Sequence, residues 1–215
     1  MTMEYQDKHC VDEEVRDIAH EVETIRKSLD LPEPEEGVVI NTYESFFSYY
    51  KNIFLAHALA KNIRAELVKV CIDEGADPNG QDEDGNTPLM HVFFNPTPDM
   101  DEKVKILLDA GADTEIENDE GFTALWIAVM CPTRIRFEPY NSAFRTLMSR
   151  NPKIYDEMLV DAILGNNYVA AKYLVASKKV NVNFRDIYGV SMLEWARRMD
   201  NKRIIALLQK NGAEE

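Results

Sequence analysis

The stretch that decides the fold is D-E-D-G-N-T-P-L-M-H, residues 82–91. The same pattern returns as N-D-E-G-F-T-A-L-W-I at 118–127 and as D-I-Y-G-V-S-M-L-E-W at 186–195. The glycines of the three stretches are 36 and then 68 residues apart, and 68 is about twice 34. Each glycine can supply the positive φ of a turn, and the Thr or Ser two residues later can cap the next helix. Recurrence at this period indicates a repeat protein.

A second repeated stretch supplies the other half of each unit. E-L-V-K-V-C-I-D-E-G-A-D-P-N at 66–79 is similar to D-E-K-V-K-I-L-L-D-A-G-A-D-T-E at 101–115. Both predict an apolar helix that ends at a glycine, Gly75 or Gly111, in a left-handed cap. One helix pair cannot bury its apolar stripe alone, whereas stacked pairs can, so the chain is expected to form an all-α solenoid.

Together these segments resemble the ankyrin-repeat family, over about three quarters of the chain. The resemblance implies an ankyrin-repeat solenoid of stacked helix pairs with β-hairpin or turn connections. Five units are expected, some of them degenerate, at 54–81, 82–117, 118–153, 154–185 and 186–215. The first and fourth units lack the hairpin start. Inserts at 95–99 and 131–140 are expected to lengthen the connections between the helices of the second and third units.

Residues 1–53 do not repeat and are expected to form a helical N-terminal capping region. Six apolar residues follow a 4-3-4-3-4 spacing, which predicts one helix of about 20 residues; they are Val11, Val15, Ile18, Val22, Ile25 and Leu29. Asn41 and Glu44 then resemble a capping box that opens a second helix. A cap would hide the apolar end of the array. The alternative is a helix for a partner or for self-association.

Charge narrows the class of partner. The chain has 24 basic and 38 acidic residues, a net charge of −14. Residues 73–121 hold 15 acids and 2 bases, a net charge of −13, whereas residues 122–215 carry a net charge of +5. Nucleic acid and anionic membrane are therefore not expected partners. A basic protein is expected instead, although the acidic block is also explained as a solvated face that aids solubility. Head-to-tail pairing of the two regions is a further alternative, and a monomer or weak self-association is expected.

Other motifs exclude several classes of function. No run approaches the roughly 18 apolar residues of a membrane span, and the start lacks the pattern of a secretory signal. Three scattered cysteines indicate neither a disulfide framework nor a zinc site, so a cytoplasmic protein is expected. No phosphate-binding, nucleophile or metal-binding motif is present. We therefore expect no cofactor, no metal and no enzymatic activity; a site in the third-unit insert with Arg134 or Arg136 is the alternative. His91 is expected on a helix face.

The resemblance implies a concave binding face made of hairpin tips and first helices. When the binding positions of the family are transferred to this sequence, they fall beside the turn glycines and after the first helix of each unit. Two tryptophans on the first helices belong to the same face. These residues are Glu83, Asp84, Asn86, Phe94, Asn95, Asp119, Glu120, Phe122, Trp126, Met130, Cys131, Ile187, Tyr188, Val190, Trp195, Arg198 and Met199. The alternative is that Phe94, Phe122 and Ile187 pack against neighbouring hairpins.

The function predicted from these features is a non-enzymatic protein–protein interaction module. We favour an acidic inhibitor or immunity-type protein that binds and blocks a basic partner, for example a toxin or a nucleic-acid-acting enzyme. Acidic tips would steer such a partner, and apolar side chains would anchor it. The alternative is an ankyrin adaptor, effector or viral protein that binds a host regulatory protein.

Overall fold

The structure is a computed structural model of the chain. It describes residues 20, 23–28, 31–40, 43–50, 54–131 and 138–214. Five of the six positions in the predicted N-terminal seam lie outside these residues, Ile25 being the exception, and so do Asn41 of the expected capping box and most of the 131–140 insert.

The described residues contain eleven named helices, preceded by a short helical segment at 23–28. The helices are α1 (Tyr43–Tyr50), α2 (Phe54–Ala60), α3 (Ala65–Asp73), α4 (Pro88–Phe94), α5 (Met100–Asp109), α6 (Ala124–Met130), α7 (Glu138–Met148), α8 (Asp156–Leu164), α9 (Tyr168–Ala176), α10 (Met192–Arg198) and α11 (Lys202–Lys210).

The helices stack in two rows. The inner row runs α2, α4, α6, α8 and α10, and the outer row runs α3, α5, α7, α9 and α11; each helix packs on the next in its row and on its pair mate. Leu89, Leu125 and Leu159 lie in the inner row and are fully buried. One continuous apolar cluster joins all five pairs. The all-α solenoid predicted from the repeats is confirmed.

Side-chain caps start the inner helices where the repeat pattern placed them. The hydroxyls of Thr87, Thr123 and Ser191 accept hydrogen bonds from backbone N–H groups three residues on. Pro88 occupies the first turn of α4, where its missing N–H costs no intrahelical bond. In the fourth unit Tyr155 stands before α8 without a side-chain cap. Among the inner helices α4, α6, α8 and α10, the side-chain cap is therefore present where the hairpin motif is present and absent in the fourth unit, which lacks it.

Neighbouring hairpins are joined at their glycines. The Asp119 N–H donates to the Asp84 carbonyl at 3.1 Å. A Cβ on Gly85 would lie 2.7 Å from Asp119 Oδ1 and 2.9 Å from its amide nitrogen, whereas a Cβ on Gly121 would meet nothing within 4 Å. Both glycines have positive φ, 75° and 81°. Gly85 is thus required for conformation and for space, and Gly121 for conformation only.

The 95–99 insert ends in a tie to the first unit. Asp99 Oδ2 accepts the Ala65 N–H at 2.8 Å, at the start of α3. Asp99 Oδ1 lies 2.6 Å from the Thr97 hydroxyl and 3.0 Å from the buried Lys103 ammonium. Partial burial opposes ionisation, but these donors outweigh it and lower the pKa of the Asp99 carboxyl to about 2. The insert is therefore part of the contact between units.

Residues 31–40 and 43–50 cover the end of the array that starts with α2. Phe46 and Tyr50 of α1 are buried, and the Phe46 ring lies 5.7 Å from that of Phe54. The Tyr50 hydroxyl donates to the Pro32 carbonyl at 2.7 Å. Arg26 is buried and pairs with Glu23 of the helical segment at 2.7 Å and with Glu33 at 2.6 Å. This packing supports the N-terminal cap, which stays a proposal together with the unit boundaries.

Replacing each of the two hairpin glycines by alanine will separate the cost of the left-handed backbone conformation from the cost of a steric clash with the next hairpin. We expect Gly121→Ala to lower the free energy of unfolding by about 1 kcal/mol, the cost of a left-handed conformation. Gly85→Ala adds overpacking against Asp119 and is expected to lose about 2–3 kcal/mol. Urea unfolding followed by circular dichroism measures both. Equal losses in the two variants would contradict the close approach of the hairpins.

Asp99 makes the stability of the array depend on pH, and its lowered pKa predicts that stability falls as the pH falls. Because the pKa of Asp99 is lowered, its carboxylate stabilises the fold above its ordinary pKa near 4, and that contribution disappears as the pH falls towards about 2. At pH 7 we expect Asp99→Asn to cost about 2 kcal/mol, the range of a charged hydrogen bond. The difference from wild type should shrink between pH 4 and pH 2 in urea titrations. Asp84→Asn, at an exposed carboxylate, serves as the control and should show little difference at either pH.

Candidate interaction face

Two neighbouring hairpins present four exposed carboxylates, which we call the acidic tips: Glu83, Asp84, Asp119 and Glu120. The first residue of each turn fixes them. Asp82 Oδ1 accepts the N–H groups of Asp84 and Asn86 at 3.1 and 2.8 Å. Asn118 Oδ1 accepts those of Glu120 and Phe122 at 3.2 and 2.9 Å. Each turn is closed by its own side chain, so the acidic side chains are held outward on ordered backbone.

A buried contact supports the first of these hairpins from below. Asp82 Oδ2 lies 2.7 Å from His91 Nε2. Partial burial opposes ionisation of Asp82, but the Asn86 N–H and the His91 imidazole outweigh it and lower the pKa of its carboxyl. His91 is only 7% exposed. The expectation that His91 lies on the helix face is wrong, because the turn carboxylate draws the ring under the hairpin.

Three of the four acidic tips are unneutralised within the part of the chain that the structure describes. Asp84, Asp119 and Glu120 make no ion pair there, whereas Glu83 Oε2 lies 3.9 Å from His57 Nε2, within ion-pair distance. Many other acids of the block are paired, such as Asp101 with Lys105 and Asp109 with Arg150. The negative field at the tips is therefore available to a partner.

Asn86 is not part of this surface. It is 8% exposed, and its Oδ1 accepts a hydrogen bond from Asn118 Nδ2 at 2.9 Å. Its place in the repeat suggested an exposed side chain, but the bond to the next hairpin turns it inward. We therefore correct the predicted set by removing Asn86.

An aromatic cluster follows the acidic tips along the array. The Phe122 ring lies 5.4 Å from the Trp126 ring, and the Tyr155 ring stacks on Trp126 with a centroid distance of 5.7 Å. The Trp126 indole donates to Asp161 Oδ2 at 2.7 Å. Phe122 and Trp126 are half-buried, and Tyr155 is 37% exposed. The predicted alternative, packing of Phe122 within the array, accounts for part of its surface and leaves the rest to solvent.

A row of apolar side chains runs along the ends of the inner helices. Phe94, Leu164 and Met199 are exposed and Met130 is half-buried; Arg198, also exposed, adjoins Met199. Asn95 and Cys131, the next residues after Phe94 and Met130, are half-buried. Sequence reasoning missed Leu164 and Tyr155, since the fourth unit lacks the hairpin motif used to transfer positions. The spacing of 34 residues from Met130 to Leu164 to Arg198 is the signal that could have found Leu164.

The fifth hairpin ends the face with apolar side chains. Ile187 is 91% exposed and Tyr188 is 80% exposed, whereas Val190 is half-buried. Trp195 is half-buried, donates its indole N–H to Asp186 Oδ2 at 2.8 Å, and lies under the Arg198 guanidinium at 5.0 Å. Partial burial of Asp186 is outweighed by the Val190 N–H and the Trp195 indole, so the pKa of Asp186 is lowered. Asp186 and Trp195 thus repeat the pairing of Asp82 with His91.

The described residues hold no group of three or more His, Cys, Asp or Glu side chains placed for a metal ion. Burial raises the pKa of the Cys71 thiol to about 11 and also raises that of Cys131. These thiols are therefore protonated and weakly nucleophilic at neutral pH. None of the described helices is long and apolar enough to cross a bilayer.

Comparison with known proteins agrees with the repeats. Residues 55–156 match the family model for ankyrin repeats, in three copies. This region includes all four acidic tips and ends one residue beyond Tyr155. No curated protein matches the chain.

The stacking of Tyr155 on Trp126 is testable by fluorescence. In a Trp195→Phe background, Trp126 is the single tryptophan. We expect Tyr155→Ala to shift its emission to longer wavelength and to lower the free energy of unfolding by about 1 kcal/mol, the range of an aromatic pair. Tyr188→Ala, at a more exposed tyrosine, is the control and should leave the emission unchanged. An unshifted spectrum for the Tyr155 variant would rule out the stack.

Proposed function

Because the chain is an ankyrin-repeat protein, we propose that it is a non-enzymatic binding module whose acidic tips meet a basic protein partner. Ankyrin repeats indicate a protein–protein interaction module. The observation that carries the finer proposal is a set of four exposed carboxylates on two adjacent, side-chain-closed turns, three of which make no ion pair among the described residues. Because the backbone of both turns is already ordered, these carboxylates present a fixed negative field, and little backbone entropy is lost when a partner binds.

The expected role of the acidic tips is to speed association. Opposite fields steer encounter and raise the association rate constant, whereas exposed charges at the rim contribute little to the lifetime of the complex. The Debye length is about 10 Å at 0.1 M salt and shortens as salt is added, so the acceleration of association should weaken with rising salt. The block from 73 to 121 carries most of the chain's net charge and reinforces the field of the tips.

Within this proposal we favour an inhibitor or immunity-type protein. Enzymes that act on nucleic acid bind phosphates through lysine and arginine. A rigid row of carboxylates competes for the same cations and can cover them. A toxin or a nucleic-acid-acting enzyme is therefore the class of partner that suits the acidic tips.

A second candidate is an adaptor that binds a neutral regulatory protein. The apolar row of Phe94, Met130, Leu164 and Met199, with the aromatic cluster beside it, favours this reading. Burial of apolar area depends only weakly on salt, whereas steering by carboxylates depends on it strongly. The salt dependence of the association rate therefore distinguishes the two candidates.

Reversing the charge of one acidic tip on each of the two hairpins tests the favoured candidate. The partner is taken as the protein recovered on immobilised wild-type chain at low salt. We expect Asp84→Lys combined with Glu120→Lys to slow association with that protein by about tenfold or more at low salt, because the steering field is removed. Stopped-flow or surface-plasmon measurements at several salt concentrations give the rates.

A matched variant controls for net charge. Glu74→Lys with Glu102→Lys changes the net charge by the same amount at exposed residues of the same acidic block. These residues belong to the outer row, at the end of α3 and the start of α5. The control should keep most of the wild-type association rate. If both double variants slow association equally, net charge and not the acidic tips is responsible; if neither does, the proposal fails.

A further inference from the structure

The three hairpins with the full turn motif, named after the second, third and fifth units that they begin, carry different residues at two equivalent positions. After the first Asp or Asn of the turn, the second hairpin has Glu83-Asp84, the third has Asp119-Glu120, and the fifth has Ile187-Tyr188. Two hairpins therefore end in carboxylates and one ends in large apolar side chains. The comparison within one chain shows what the turn itself needs.

The turn does not need apolar residues at these positions. Asp186 Oδ1 accepts the N–H groups of Tyr188 and Val190, both at 2.9 Å, which repeats the bonds that Asp82 makes in the second hairpin. The backbone of the turn is thus closed in the same way with acidic or with apolar tips. Ile187 and Tyr188, at 91% and 80% exposed, are not part of the buried core. Neither folding of the turn nor core packing explains them.

The hairpin that carries this pair is held rigid. Asp186 is bonded by its own turn and by the Trp195 indole. Arg185 and Ser191 form a bridge across the hairpin, and the Arg185 guanidinium donates to the Gly189 carbonyl at 2.9 Å. A preorganised apolar tip loses little entropy on binding, which is the property of an interface anchor. A protruding pair of side chains is complementary to a pocket and not to a flat surface.

The charge around the fifth hairpin is nearly balanced, unlike that of the acidic tips. Between 185 and 198 there are three arginines and two carboxylates. Asp186 is engaged within the hairpin, and Glu194 pairs with Arg198 at 2.5 Å. A surface that accepts Ile187 and Tyr188 is therefore matched by apolar contact and not by a field of opposite sign.

We propose that Ile187 and Tyr188 enter an apolar pocket on the same basic partner that the acidic tips attract. The inference rests on the proposed function and divides the work along the array. The acidic tips govern how fast the partner arrives, and the fifth hairpin governs how long it stays. The partner is thus a protein with a basic surface and, at the far end of its footprint, an apolar pocket.

The variant Ile187→Asp with Tyr188→Glu gives the fifth hairpin the tip residues of the third. Because those residues occupy an equivalent turn in this chain, the melting temperature should stay within error of wild type. Against the protein captured on immobilised wild-type chain, we expect dissociation roughly tenfold or more faster, the size of effect typical of a lost hot spot. At high salt, where the two added charges are screened, the association rate constant should change by less than threefold. An unchanged dissociation rate overturns the proposal.

Photo-cross-linking identifies what the fifth hairpin touches. A benzoylphenylalanine at position 188 and, in a separate chain, at position 120 serve as probes, and position 102 on α5 serves as the control. Support requires that 188 and 120 label the same protein, 188 at an apolar segment and 120 at a basic segment. Labelling from 188 of a second copy of this chain, or of lipid, overturns the proposal. If Asp84→Lys with Glu120→Lys leaves association unchanged while the Ile187–Tyr188 variant accelerates dissociation, the steering proposal fails and the anchor stands.

Discussion

The close approach of adjacent hairpins is the constraint on which the binding face depends. Gly85 lies so near Asp119 that no side chain fits between them, and the Asp84 carbonyl accepts the Asp119 N–H. Asn118 reaches back to Asn86 at the same junction. In a stacked array each unit is stabilised by its neighbours, so these contacts set the spacing and the direction of successive tips. The junction explains why two pairs of like charges are held side by side despite their repulsion.

This constraint leaves only some positions open to change. The first turn residue closes the turn, the fourth must adopt positive φ, and the fifth is buried in the second hairpin. The second and third residues make no contact that the turn requires, as acidic and apolar pairs at these sites demonstrate. Specificity can therefore differ from one hairpin to the next without a change in the scaffold. The structural and the recognition roles of each turn are separated residue by residue.

The sequence predicted the repeated features well and the unrepeated ones poorly. The period of the glycines, the Thr and Ser caps and the apolar helices were enough to predict stacked helix pairs, because each is a local signal that recurs. The burial of Asn86 and of His91 was missed, since both depend on a partner elsewhere: the next hairpin for Asn86 and Asp82 for His91. Leu164 was missed because the fourth unit has lost the motif that marks its register. The Asp99 tie reaches 34 residues back, beyond any local pattern.

The order of the surface along the array has a physical consequence for recognition. In the proposed mode of binding, long-range attraction begins at the acidic tips, and short-range burial follows at the fifth hairpin, where Ile187 and Tyr188 protrude. Coulomb attraction acts over about a Debye length, whereas apolar contact requires touching surfaces. A partner steered to the second and third hairpins still has to align with the fifth before its apolar contacts form. Discrimination then comes from the geometry between the two ends, which the rigid stack of helix pairs fixes. A partner with the right charge but a differently placed pocket would arrive quickly and leave quickly.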